Sequence, residues 1–225
     1  MKKLWIYILF LKMTIGTATL NAQDKLKLEL GVEFVSRYVW RGIDYGNSPA
    51  IQPDLLISYH GFFIGGWGSY ALFKKNNTTE FEYRLGYTFE RLGMTILLTD
   101  YYYSTALIDT VKKGFSREEN ISFYGHSIEL GLIQNFKNFY FGCFMNLNED
   151  HHLYLESGYN YKGFEFVIGA GNRDYTSEGE FYIVNLSLVK NIEIKYTESR
   201  SLSLFWGGLY NPDTNVFHFV FGATF

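Results

Sequence analysis

Only a few side chains in this sequence are placed, by type and spacing, to do chemistry. His126 and Ser127 set a base beside a hydroxyl, but neighbours on an extended strand point to opposite faces and cannot form a dyad with each other. His218 is another candidate base, and the sequence assigns no serine to it. His151 and His152 adjoin Glu149 and Asp150, where a weak metal site could form. A solvated loop tip is the simpler reading, because adjacent ligands rarely close a site. No phosphate-binding glycine loop, CxxC or HExxH occurs, so nothing calls for a cofactor or a metal, and no catalytic set is assigned.

The second pattern is ionic. Charged residues fall on one parity of extended segments, as with Glu29, Glu33, Arg37 and Arg41. Asp54, Glu82, Arg84 and Glu129 continue the set. Glu156, Glu165, Arg173, Glu193 and Lys195 complete it. Arg37 and Arg41 either line the mouth of a pore or pair structurally with lumen acids; leaving Arg41 out of the count, acids outnumber bases eight to four. Carboxylates ringing a water-filled path would favour cations mildly. The same groups paired with arginines would form a salt-bridge network that partly closes it. Both arrangements fit the sequence.

The elements that must position these groups are strands. From Glu80 to Glu90, Phe81, Tyr83, Leu85, Tyr87 and Phe89 face one way and the glutamates and Arg84 the other. Lys25 to Phe34 repeats the pattern. The rule predicts twelve strands, at 25–41, 50–60, 62–72, 79–90, 93–103, 120–135, 138–148, 151–161, 164–174, 180–189, 192–206 and 215–225. The eleventh is kept whole because Ile192, Ile194, Tyr196, Leu202, Leu204 and Trp206 share one parity. Tight turns are expected at His60-Gly61, Arg91-Leu92, Phe136-Lys137, Lys162-Gly163 and Lys190-Asn191. Longer connections at 42–49, 73–78, 104–119, 175–179 and 207–214 alternate with them, with a compact exception at Glu149-Asp150. That asymmetry is the pattern of an all-β, antiparallel up-and-down transmembrane barrel.

Three features favour a membrane barrel over a soluble one. Glycines such as Gly131, Gly158, Gly169 and Gly171 share the polar parity, which suits a crowded lumen. Twelve strands of about ten residues match tilted membrane crossings. Aromatic residues gather near strand ends, as at Tyr38 and Trp40 or Tyr101 to Tyr103, where an interfacial girdle would lie. Placing Arg84 and its like at the bilayer midplane would cost about 2–4 kcal/mol each, so the apolar parity must face lipid. Cys143 shares that parity and is read as a small apolar group.

Residues 1–22 have the charge, apolar core and small-residue taper of a signal peptide, leaving 23–225 as the barrel. Removing Lys2, Lys3 and Lys12 from the 20 basic residues leaves 17 against 23 acids, which argues against a nucleic-acid partner.

The segment Ser36-Arg37-Tyr38-Val39-Trp40-Arg41-Gly42, followed by Ser48-Pro49-Ala50-Ile51-Gln52-Pro53 and then Gly61 to Ser69, resembles the N-terminal signature of the TorF porin family. The resemblance covers about the first quarter of the mature chain and brings no catalytic residues. It implies an outer-membrane barrel of a Gram-negative bacterium that passes small solutes or ions. Resemblance to outer-membrane barrels also implies that Phe225, ending an alternating Phe217, Phe219, Phe221 strand, is read by the barrel-assembly machinery. The expected partners are therefore outer-membrane lipid, that machinery and small solutes. The rivals are a barrel enzyme acting on lipid acyl chains and a non-conducting structural or adhesive barrel, whose recognition could lie in loop 104–119. The signal reading predicts that intact-mass measurement of the exported protein finds Gln23 as its first residue; retention of residues 1–22 would remove it.

Overall fold

The computed structural model describes residues 26–73, 79–103, 125–148, 151–197 and 201–225. Residues 1–22, Glu149-Asp150 and the 104–119 loop lie outside these residues.

Period-two alternation becomes a wall of antiparallel strands because each strand can bury one parity only by curling around it. The wall is built from β1 (Leu26–Val35), β4 (Ala50–Tyr59), β5 (Phe62–Ala71), β6 (Thr79–Phe89), β7 (Met94–Tyr103) and β8 (His126–Phe136). It continues through β9 (Phe139–Asn146), β10 (Leu153–Tyr161), β11 (Phe164–Arg173), β12 (Gly179–Lys195), β13 (Ser201–Asn211) and β14 (Val216–Thr224). Each strand pairs with the next, and β14 returns to β1, closing a twelve-strand barrel. A separate two-stranded element, β2 (Tyr38–Trp40) with β3 (Ile43–Gly46), stands apart from the wall.

The faces divide as the alternation requires. On β6, Tyr83 and Leu85 are exposed outside, whereas Glu80 and Arg84 are buried inside. Apolar residues such as Leu30, Ile64, Phe141, Phe166 and Phe219 form an exposed outer band around the barrel. Cys143 takes the outward parity, opposite Leu132 and Leu155. The closing seam joins Glu33, Phe34 and Val35 to Thr224, Ala223 and Gly222. Phe225 extends it, exchanging backbone hydrogen bonds with Val32 and setting its ring edge-on to Phe34 at 5.8 Å.

The interior is packed. Leu97, Phe144, Tyr154 and Val184 form its buried cluster, with Phe63, Ile133 and Tyr175 against it. The inward glycines make room for these groups. A Cβ on Gly158 would fall on the Tyr140 ring, and one on Gly131 would meet Leu97 and Phe144 at 2.8 and 2.9 Å.

Four expectations are corrected. Lys190-Asn191 is not a turn, because β12 runs through it to Lys195. The strand expected at 192–206 is instead the end of β12 and the start of β13, with the connection between Lys195 and Ser201. Ile192 pairs with Leu204 and Ile194 with Leu202, so both limbs of the hairpin keep the same outward parity. Alternation therefore passes through the bend without a phase change. The polar run Thr197-Glu198-Ser199-Arg200 was the turn signal. The 207–214 loop correspondingly shrinks to the short link between Asn211 and Val216.

The strand expected at 25–41 also ends early, at Val35, and the next residues turn inward. The packing predicts that Gly158→Val lowers stability by about 1–3 kcal/mol through overpacking. Gly66→Val should not, since a Cβ at Gly66 has nothing nearer than the Glu82 carbonyl at 3.8 Å. Urea unfolding of the refolded proteins in detergent micelles measures both.

Candidate functional site

The site is built by the short hairpin that leaves the wall after β1. Trp40 pairs with Ile43, leaving Arg41-Gly42 as a two-residue turn. Both turn residues have positive φ, 50° at Arg41 and 80° at Gly42, as a type I′ hairpin turn needs. Gly42 is required twice over, because a Cβ there would collide with the Val184 carbonyl. The Asn211 amide donates to the Gly42 carbonyl at 3.2 Å.

Contacts on strands all round the barrel show that the hairpin lies across the lumen. Tyr38 packs on Trp67 of β5, with ring centroids 5.3 Å apart, and Trp40 on Tyr101 of β7, also at 5.3 Å. Gly42 abuts β12, and its carbonyl is held from β13. Tyr38 and Trp40 are thus not part of an outer girdle, and Tyr101 is also buried inside. The connection expected at 42–49 is instead largely the second strand of this inward hairpin, with Arg41-Gly42 at its tip.

Arg41 is the centre of the site. Its guanidinium grips Glu129 of β8 with two bonds, Nη1 to Oε2 at 2.5 Å and Nη2 to Oε1 at 2.9 Å. The Tyr101 hydroxyl donates to Oε1 at 2.9 Å and the Tyr175 hydroxyl to Oε2 at 3.2 Å. Arg41 also donates to the Tyr175 oxygen. Burial pushes the Tyr175 phenol well above its ordinary value, so it remains a protonated donor to the carboxylate. Around the cation stand Trp40, Tyr154 and Phe144, with ring centroids 4.2, 4.3 and 4.5 Å from the guanidinium carbon. The Arg41 and Glu129 side chains are only 1% and 5% exposed. A bidentate pair with further donors on the carboxylate is the geometry in which two buried charges can coexist.

A second tether holds the base of the hairpin. Arg37 donates to Asp44 of β3 at 2.8 Å and to the Asn47 side chain, and lies 3.3 Å from Nδ1 of His218 on β14. A cavity of about 150 Å³ remains between hairpin and wall, lined by Glu33, Val35, Tyr38, Gln52, Leu209 and Val220 among others.

The remaining ionisable residues take separate positions. Arg84 pairs with Asp54 inside the barrel, both side chains 3% exposed, with Glu82 two residues along the same face. Glu33 is buried and accepts from the Thr224 hydroxyl at 3.3 Å. Glu156 and Glu165 are buried on β10 and β11, and Glu29 pairs with Lys27. Arg173, Glu193 and Lys195 are exposed near strand ends, Arg173 at one end of the barrel and the other two at the opposite end. His126 and Ser127 face opposite ways as expected: His126 lies 3.0 Å from both Asp100 oxygens, and Ser127 is held by Asn146 at 2.6 Å. His152 faces Asp174 at 3.5 Å.

Sequence reasoning missed the aromatic box of Tyr101, Phe144, Tyr154 and Tyr175. The available signal was large rings on the parity otherwise given to glycine and charge, as with Phe144 two residues from Gly142 and Tyr154 two from Glu156.

Fold and site together define a closed twelve-strand β-barrel whose interior is crossed by an arginine-tipped hairpin. Residues 20–182 match a bacterial protein family of unknown function, Gcw_chp, and the chain belongs to that family. The match includes the whole hairpin, Glu129 and the aromatic box. No curated protein matches the chain.

Leaving either partner of the buried pair alone strands a charge. Glu129→Ala and Arg41→Ala are each expected to cost about 3–5 kcal/mol. Replacing both together by Leu and Met should recover much of that loss in urea unfolding.

Proposed function

We propose that the protein is an outer-membrane channel for small solutes or ions, plugged by its 38–46 hairpin and conducting only when that hairpin leaves the lumen. The observation that carries this reading is the ion pair of Arg41 with Glu129, which fastens a hairpin, rather than a wall strand, across the interior. A barrel that needed only to be filled could use wall side chains alone, as the Leu97–Phe144 cluster does.

The membrane location is supported by the exposed apolar band outside and the buried charges within, an arrangement suited to lipid and costly in water. Four tight turns at one end of the barrel, opposite longer connections at the other, support export with that end on the periplasmic side. The likeness of the Ser36–Gly42 segment to the TorF porin family supports solute passage as the function. Under this reading, cleavage after Ala22 delivers the chain to the periplasm, and Phe225 is the aromatic end that the assembly machinery reads.

Removing the hairpin would take Arg37 and Arg41 out of the lumen and leave Glu33, Asp54, Glu129, Glu156 and Glu165 against Arg84. A pore opened by deleting the hairpin, and both arginines with it, should therefore prefer cations. In planar bilayers, the intact protein is expected to conduct rarely. A variant with residues 37–47 replaced by a short Gly-Ser linker should conduct steadily, with a cation-selective reversal potential in a KCl gradient. A folded variant, verified by heat-modifiable gel mobility, that conducts no better than the parent would sink the proposal.

A further inference from the structure

We infer that the free edge of β14 is the second seat of the hairpin: β2 leaves the lumen by straightening onto β1 and pairing with Phe217 and Phe219 in the barrel wall. This inference rests on the plugged-channel reading and says where the plug goes.

The seam between β1 and β14 is short. It pairs three residues on each side, is extended at one end by the Val32–Phe225 bonds, and ends at the other with the Ser36 N–H donating to the Phe221 carbonyl at 2.8 Å. Beyond that point β1 has turned inward. β14 nevertheless continues through Val216–Val220, which among the described residues pairs as a strand only with β13. In an antiparallel ladder the residues that bond to one neighbour recur every second position. Since the Phe221 carbonyl faces β1, the N–H and C=O groups of Phe219 and Phe217 face the vacated side too. Both side chains are exposed, 58% and 63%, so this edge lies in the apolar outer band. Unpaired backbone groups at membrane depth cost several kcal/mol each, and in water a bare edge recruits another strand.

The nearest strand is already attached. Continuing the observed register places Tyr38 opposite Phe219 and Trp40 opposite Phe217. Arg41 would lie opposite Val216, level with the β13–β14 turn, so the straightened tip completes the wall to that height. Side-chain parity agrees. Straightening would carry Tyr38 and Trp40 outward beside Phe34 and leave Arg37, Val39 and Arg41 facing the lumen. The β2–β3 pairing need not break, because the hairpin can swing as a unit about Ser36-Arg37 on one limb and residues 47–49 on the other. A strand tethered one residue from the seam also has a far higher effective concentration than a second copy of the chain. What the lumen seat keeps, and the wall seat gives up, is the Arg41–Glu129 pair with its aromatic surround, the Tyr38–Trp67 contact and the Asn211–Gly42 hydrogen bond.

The test is disulfide trapping in a Cys143→Ser background. Tyr38 now lies inside against Trp67 while Phe219 points outward, so a Tyr38→Cys, Phe219→Cys bridge reports the wall seat. Paired antiparallel residues are close enough for a disulfide. Oxidation in isolated membranes should join positions 38 and 219 within one chain. Adding Glu129→Gln should speed trapping by about tenfold or more, since each 1.4 kcal/mol removed from the lumen seat is worth tenfold. Trp40→Cys with Phe217→Cys is the second pair should the first variant fail to fold. Absence of the intramolecular bridge in folded protein overturns the inference, as does a Tyr38→Cys, Phe219→Cys protein that gives cross-linked dimers in place of the bridge. The outcome is separable from the channel reading. If the hairpin-deleted barrel conducts but no bridge forms, the wall seat falls alone; if the bridge forms and the deleted barrel stays silent, the channel reading falls.

Discussion

A guanidinium taken out of water must find its donors' partners in the place where it is left. Arg41 finds them in both oxygens of Glu129, and the rest of the interior is arranged around that demand. Glu129 is also held by two phenols, Tyr101 from β7 and Tyr175 from the β11–β12 connection. The flat faces of Trp40, Phe144 and Tyr154 close on the cation. The hairpin bends inward because its tip carries this charge and its turn can enter the lumen. A type I′ turn with glycine against the Val184 carbonyl is narrow enough to do so.

The same arrangement explains why the inner face mixes glycine, aromatic residues and charge. In a wide aqueous pore, inward glycines would merely weaken strands. Here they leave space for rings lying across neighbouring strands, as Tyr140 does over Gly158. The lumen is consequently a packed core with a few buried ion pairs, enclosed by an exposed apolar band. A small cavity lies beside the hairpin, behind the place where β1 parts from β14. Closure is therefore tightest where side chains fill the barrel and weakest at the seam where the hairpin departs.

Arg37 and His218 show how the seam and the plug meet. His218 extends inward from β14 to the arginine at the base of the hairpin, which also holds Asp44 and Asn47. The hairpin is thus tied at its tip to β8 and at its base beside β14, on different sides of the lumen. Two tethers of this kind make the plug a discrete unit rather than a loose loop.

Much of this was legible in the residue order alone. Period-two alternation set the strand count, which parity faces out, and the positions of four of the five tight turns. Steric and dielectric rules act locally on it, since a strand has only two faces. Alternation could not reveal the bend between Lys195 and Ser201, because parity runs unchanged through a hairpin whose limbs face the same way. It also could not distinguish a straight strand at 25–41 from one folded inward at Ser36, because the pattern is the same in both. That choice depends on what waits across the lumen. Glu129, 88 residues further along the chain, and rings from β7, β9 and β10 meet Arg41 only after the barrel has closed. Local sequence specifies which way a side chain points; only closure determines which residues it then faces.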